Sequence, residues 1–379
     1  MTGSTTTLVR HPHRLGARHA LFCIGTETTT GPILETMTGS GAAWADTVVA
    51  SLGPRERAIA SIGFAPDTPG IAHRMRIDAQ VGAGRGDDTV GDQLEHEVRH
   101  THQVVEQPST EQYAANVRTA LGHIDAGRLE KVVLGRSLDV LSDPPLDPDL
   151  IIDRLRTARP GRYVFGVPLA AGTDAPLLLG ASPELLVRRR GSAVSSFPLA
   201  GSIPRVPDPV EDRRRAEALL ESTKDLHEHA FVVEAIVEAL ERVCAHVSVD
   251  AHPRLVSTDQ LHHLGTRIDA ILAADRPAPS ALHLAQLLQP TPAVGGTPRA
   301  AAIDLIHELE GDRGMLTGAT GWVDARGDGE LAVTIRAGVL DGQHLRLFAG
   351  AGIVAGSDPE SEVRETGAKL ATMRAAVGV

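Results

Sequence analysis

Two carboxylates three residues apart, followed one turn later by an ammonium, can hold a divalent cation and an anionic ligand side by side. Glu362, Glu365 and Lys369 have that spacing. On a helix they fall within about 60° of one another, with Arg364 pointing to the other side. A solvated acidic helix with an i,i+4 Glu–Lys pair has the same pattern, so other groups must decide between them. Lys131 shares a strand face with Val133, Gly135 and Ser137, neighbours that would solvate an ammonium poorly. Glu184 follows Pro183 at a bend between apolar runs. Glu228 lies on the helix side of Val232, Ala235 and Ala239, which is costly for a carboxylate unless it is paired or metal-bound. His227 and His229 project apart on a helix, so they are not an i,i+4 zinc pair. His262 and His263 precede Leu-Gly-Thr, where a structural role is the default.

The elements that must position these groups can be read from pattern. The stretch RLFAGAGIVAGSDPESEVRETGAKL predicts a short strand over 345–348, a glycine-rich turn through Gly350, Gly352 and Gly356, and a closing helix. Ser357 or Asp358 can cap that helix, and Pro359 suits its first turn. Ser109 with Gln112 predicts a capped helix that ends at Gly127, followed by the strand that carries Lys131. A further helix spans 223–243, with Glu234, Glu238 and Glu241 on its wet face. Strands are expected at 19–24, 58–64 and 72–77, four more over 163–206, and a hairpin after residue 318 that turns at 327–329. Residues 281–310 read as helical around the break QPTPAVGGTP. Antiparallel runs interrupted by helices, without βαβ alternation, predict an α+β fold. Residues 1–18 are expected to be frayed or disordered, 19–104 to be a variable β-rich part of the same domain, and 105–379 to hold the chemistry. GAGRGDDTVGDQ at 82–93 is the best linker candidate.

A chain of 379 residues with 42% hydrophobic content can bury a large core in one big domain or two. With a net charge of −11 and no cluster of Lys, Arg and aromatics, a nucleic-acid partner is not expected. Such a protein needs local cations or a metal to bind an anion. Two cysteines, Cys23 and Cys244, give neither zinc spacing nor a disulfide framework. No signal peptide or long apolar run stands out, so no membrane partner and a cytoplasmic location are expected.

Nine stretches, in order, resemble the chorismate-utilising enzymes: KVVLGRS, GASPELL, FPLAGSIPR, KDLHEHAFVVEAI, HLGT, PTPAVGGTP, TGWVD, AVTIRAG and the terminal LFAGAGIVAGSDPESEVRETGAKL. The resemblance covers about residues 105–375 and is greatest to the isochorismate synthase branch. It implies an α/β sandwich of two large antiparallel sheets packed face to face with helices outside. It also implies replacement of the 4-hydroxyl of chorismate by a nucleophile added at C2, which is water in this branch. By motif match Lys131 is the base that activates water, Glu184 is the acid that protonates the leaving hydroxyl, and His263 is an active-site histidine. Glu228, Glu362 and Glu365 match the carboxylates that hold Mg²⁺. Arg336, Lys369 and the backbone at Gly350 match a clamp on the substrate carboxylates, and Gly201 lines the pocket.

Two positions sort the branches. Ala200 stands where aminodeoxychorismate synthases carry a lysine, and Lys131 where anthranilate synthases carry a glutamine. Ala293, in PTPAV, stands where lyase-competent relatives tend to have Thr, which favours stopping at isochorismate over the alternative, a salicylate synthase. The expected protein is a monomer that needs no glutamine amidotransferase subunit, with its product destined for menaquinone or a siderophore. Departures from the family pattern are Gln289, Gly135, Val363 and Leu316, none of them an acid, base or ligand. GAGIVAG suggests a rival, a dinucleotide-binding protein. Its GxGxxxG spacing and the 23 residues left after Gly356 leave no room for a second parallel strand. A non-catalytic binding homologue is a third reading, and intact Lys131, Glu184 and Glu228 count against it.

Overall fold

The strand Glu27–Gly39 belongs to two antiparallel sheets at once. Its first half, Glu27 to Pro32, pairs with His19–Ile24, and its second half, from Ile33, pairs with Gly70–Arg76. The register slips between Ile33 and Glu35, so the chain bends there and passes from one sheet to the other. Gly31 is required just before the bend, because a Cβ there would lie 2.8 Å from the Arg76 carbonyl oxygen. No strand is expected between residues 24 and 58 from the sequence pattern. The glycine marks a close approach of backbones inside a strand.

This computed structural model describes residues 3–7, 19–25, 27–77, 97–158 and 161–378. The proposed linker at 82–93 lies outside them. Gly3–Thr7, within the stretch expected to be disordered, pairs with Glu97 to Thr101 and forms an edge strand. Backbone hydrogen bonding overrides the weak local pattern there.

From that edge the first sheet continues through Lys131–Asp143, His344–Val354, Ala337–Asp341, Leu177–Ser182 and Tyr163–Pro168 to His19–Ile24. The second runs from Gly70–Arg76 through Glu56–Ile62, Ala319–Asp324, Gly329–Val333, Leu185–Arg190, Ala193–Phe197 and Ile268–Leu272 to Cys244–Val249. The shared strand makes them one hydrogen-bonded network of 18 strands. The two halves pack face to face on Phe22, Phe165 and Leu178 from one and Ile59, Met75 and Trp322 from the other. His73 ties them further: its Nε2 lies 2.7 Å from the Pro168 carbonyl and its Nδ1 3.0 Å from Thr36 Oγ1.

Helices cover the outer faces. Thr110–Asp125 and Arg299–Glu310 pack on Val132, Leu134 and Ile353. Pro148–Ala158 and Pro359–Val377 pack on Leu138, Val140, Leu345 and Leu347. Gly41–Ala50, Thr223–Glu241 and Ala281–Leu288 cover the second half. A small separate sheet of Leu199–Pro204, Leu261–Gly265 and Arg254–Ser257 was not foreseen. No helix among the described residues is long and apolar enough to cross a membrane.

Candidate active site

The central pair of strands, Lys131–Asp143 and His344–Val354, places Gly352 opposite Val133 and Gly350 opposite Gly135. Alternation turns Leu345, Leu347, Ala349, Ala351 and Ile353 toward the helices and leaves Phe348, Gly350 and Gly352 on the inner face. The expected glycine-rich turn is therefore mostly strand, which continues to Val354. Gly350 and Gly352 are small because other groups fill their space. A Cβ on Gly352 would overlap the Glu228 carboxylate and lie 3.1 Å from Lys131 Cε. One on Gly135 would run into the Phe348 ring. Gly135 departs from the family pattern, and that space is taken up by Phe348.

A cleft opens on this inner face. It is lined by Glu184, Glu228, His263, Arg336, Glu365 and Lys369, together with Gly201, Ala293 and Gly350. Lys131 sits behind Glu228, fully buried, with Nζ 3.0 Å from Glu228 Oε1. Glu362 faces an adjoining cleft that shares Ser202, Glu228, Gly352 and Glu365 with the first.

Glu184 occupies the break between Leu177–Ser182 and Leu185–Arg190, where the Ser182 hydroxyl accepts its backbone N–H at 3.2 Å. Burial raises its pKa to about 7, against the opposing pull of the Leu199 N–H, Lys131, Arg336 and Lys369. His263, from the small sheet, is held neutral by burial and by the nearby Arg336 and Lys369 cations, and its Nε2 has no hydrogen-bond partner. His229 is likewise kept neutral, with a pKa of about 4, by burial and Lys131, and it bonds Thr266 Oγ1 at 2.7 Å. His262 bridges Ser257 and Asp212, a structural role.

Glu228, Glu362 and Glu365 all line the adjoining cleft. Among the described residues no three His, Cys, Asp or Glu side chains form a ready metal site. Each of these three carboxylates is turned instead to a lysine: Glu228 to Lys131, Glu362 to Lys224 at 3.5 Å, and Glu365 to Lys369 at 2.6 Å. The donor set nonetheless suits a hard divalent cation. Burial and then the carboxylates of Glu365 and Glu228 push Glu362 up to about 7, the mark of acids crowded together. Burial opposes ionisation of Glu365 too, but Lys369 and Ser202 outweigh it and hold its pKa below the usual value.

Several contributors stand out in no local pattern, although Arg336 is named by the motif match. Thr317 and Arg336 are the two non-glycine residues with left-handed backbone among the described residues, at φ 62° and 51°, and both line the cleft. Strain held by surrounding structure is characteristic of functional sites. The Glu310–Arg313 pair is buried below. Glu310 accepts the Gly135 N–H at 2.7 Å, and Arg313 donates to the Val294 and Val133 carbonyls, each at 2.8 Å. It locks the Lys131 strand to the loop that carries Ala293. Ser202 and Lys224 also belong here, the latter inside a motif whose histidines drew the eye first.

Comparison with known proteins agrees with this geometry. The profile of the family described as chorismate binding enzyme matches residues 77–378. Isochorismate synthase DhbC of Bacillus subtilis is 45% identical over 292 residues, which is 76% of this chain and 73% of that protein. Isochorismate synthase EntC of Escherichia coli is 46% identical over 247 residues, 65% of this chain and 62% of that protein. A solved structure from Bacillus anthracis, described as a 2,3-dihydroxybenzoate-specific isochorismate synthase, superposes with a TM-score of 0.85. It shares 37% identity over 96% of this chain and 97% of its own. Sequence, fold and cleft agree, and the chain belongs to the chorismate-binding enzyme family.

Proposed function

We propose that the chain is a magnesium-dependent isochorismate synthase, with residues 105–379 as the catalytic region and the strands of 19–104 completing its sheets. The observation that carries this reading is Glu184, a carboxyl at the cleft whose pKa burial raises to about 7 against the pull of Lys131, Arg336 and Lys369. A carboxylic acid half protonated at neutral pH can deliver a proton to a departing hydroxyl. Acting as the neutral amine, Lys131 takes a proton from water as the water oxygen bonds to C2 of chorismate. The two ring double bonds migrate, the C4–oxygen bond breaks, and the Glu184 proton leaves with that oxygen as water. Arg336 and Lys369 supply the positive charge a dianion needs in a protein of net charge −11. Neutral His263, with Nε2 unpartnered, can hydrogen-bond the substrate.

Glu228, Glu362 and Glu365 would hold Mg²⁺, which when bound would neutralise a substrate carboxylate. Water as nucleophile makes an amidotransferase partner unnecessary. Ala200 and Ala293, both at the cleft, leave no lysine for a covalent adduct and no hydroxyl for a second step.

Chromatography of a reaction with chorismate and Mg²⁺, with and without an ammonium salt, tests the assignment. Isochorismate is expected in both, with no anthranilate and little salicylate. Salicylate and pyruvate as main products, or an aminated product, would overturn it.

Gly352→Ala provides a geometric check. Its Cβ would meet the flexible end of Glu228 and not fixed backbone, so the protein should fold normally by circular dichroism. Displacing Glu228 from Lys131 should cut kcat by about 10²-fold, the scale of an ångström-sized misplacement. A fully active variant would show that this close approach does not position the site.

A further inference from the structure

Lys224 has no part in the chemistry above, yet it stands beside the three acids. It is the second residue of helix Thr223–Glu241, its side chain is 42% exposed, and its Nζ lies 3.5 Å from Glu362 Oε1. It lines the cleft that holds Glu362 and Glu365, and also a neighbouring groove formed with His227, Phe231 and Val354. Lys131 is buried and Lys369 partly buried, and they pair with Glu228 and Glu365. With Lys224, each of the three carboxylates has a lysine as its partner. Of the three lysines only Lys224 is solvent-facing enough to swing away without crossing the core.

We propose that Lys224 is a built-in competitor for the metal, a displaceable counter-ion that occupies Glu362 and must give way when a divalent cation binds. This rests on the magnesium reading above. The lysine keeps the acids from repelling one another, at the cost of weakening their hold on a cation when no substrate is bound. A dianionic substrate adds negative charge to the cleft and shifts the competition toward the metal, so metal and substrate bind cooperatively. Lys224 is thus a positioning residue, and its effect is on metal affinity before any chemistry occurs.

The test is Mn²⁺ binding to the substrate-free protein, followed by electron paramagnetic resonance, for wild type, Lys224→Gln, Lys224→Ala and Lys224→Arg. Removing one partly exposed cation beside the acids should tighten Mn²⁺ binding about tenfold in the Gln and Ala variants. The Arg variant should stay close to wild type. Binding measurable only in the Gln and Ala variants would equally support the proposal. Wild type and both variants binding alike, or the variants binding more weakly, would overturn it while leaving the metal reading intact. No Mn²⁺ binding by any of the four proteins, with or without chorismate, would overturn both.

Discussion

Glu184→Gln is expected to lower kcat by about 10²–10⁴-fold, the usual contribution of a general acid, while the protein folds and binds chorismate. The amide is nearly isosteric and its oxygen can still accept the Leu199 N–H that now meets Glu184 Oε1 at 3.3 Å. What it lacks is the proton. Wild-type activity should also fall as pH rises through about 7, where burial has placed the Glu184 pKa, because only the protonated carboxyl can act as the acid. The residual activity of the variant should lack that limb. Stability should fall over the same range. A carboxyl whose folded pKa is raised contributes stability that is fully present below its unfolded value, near 4.5, and lost as pH rises through 7. Above pH 7 the Gln variant should therefore melt at a higher temperature than wild type. Near-normal kcat in the variant would remove Glu184 from the mechanism and return it to a turn residue.

Removing divalent metal should have an effect at least as large. EDTA should abolish turnover and Mg²⁺ restore it, because Glu228, Glu362 and Glu365 are acids that lysines neutralise but cannot replace as ligands for a substrate-bearing cation. Glu365→Gln should lose most activity at any Mg²⁺ concentration and yet remain folded. It removes one of the carboxylates that push Glu362 up to about 7, and an amide keeps an acceptor for Ser202 Oγ, now 3.0 Å from Glu365. Full activity in thoroughly chelated buffer, or in Glu365→Gln, would contradict the metal assignment.

The parts of the site legible in the sequence were those where a charged residue broke a local pattern. Glu228 stood on the apolar side of an amphipathic helix, and Lys131 on a strand face without polar neighbours. The structure gives each a reason in the other, at 3.0 Å. The Ser109 cap was legible because capping chemistry is local, and the Gln112 N–H does bond to Ser109 Oγ. Glycine hides its reasons from local pattern: Gly350 and Gly352 were expected in a turn, and the strand through Gly31 was not expected at all. In both places its small size serves an approach by distant backbone or side chains, which no local window contains. The small sheet escaped for a related reason. Its strands are short, and Leu199–Pro204 pairs with a segment some sixty residues on, Leu261–Gly265, so only tertiary contact defines it. Phe348 and Gly135 fit the same pattern, since neither residue is informative until the two strands are in register. Arg336 was named by motif, but the left-handed backbone that it shares with Thr317 is held by the surrounding fold, which residue type does not reveal.

Turnover of chorismate in heavy-oxygen water, with mass spectrometry of the isolated product, tests the central claim most directly. If Lys131 activates solvent and Glu184 expels the 4-hydroxyl, isochorismate should carry one solvent oxygen, located on C2. Isochorismate without the label would mean that the hydroxyl moves within the substrate, and would contradict the base–acid division built on these two residues.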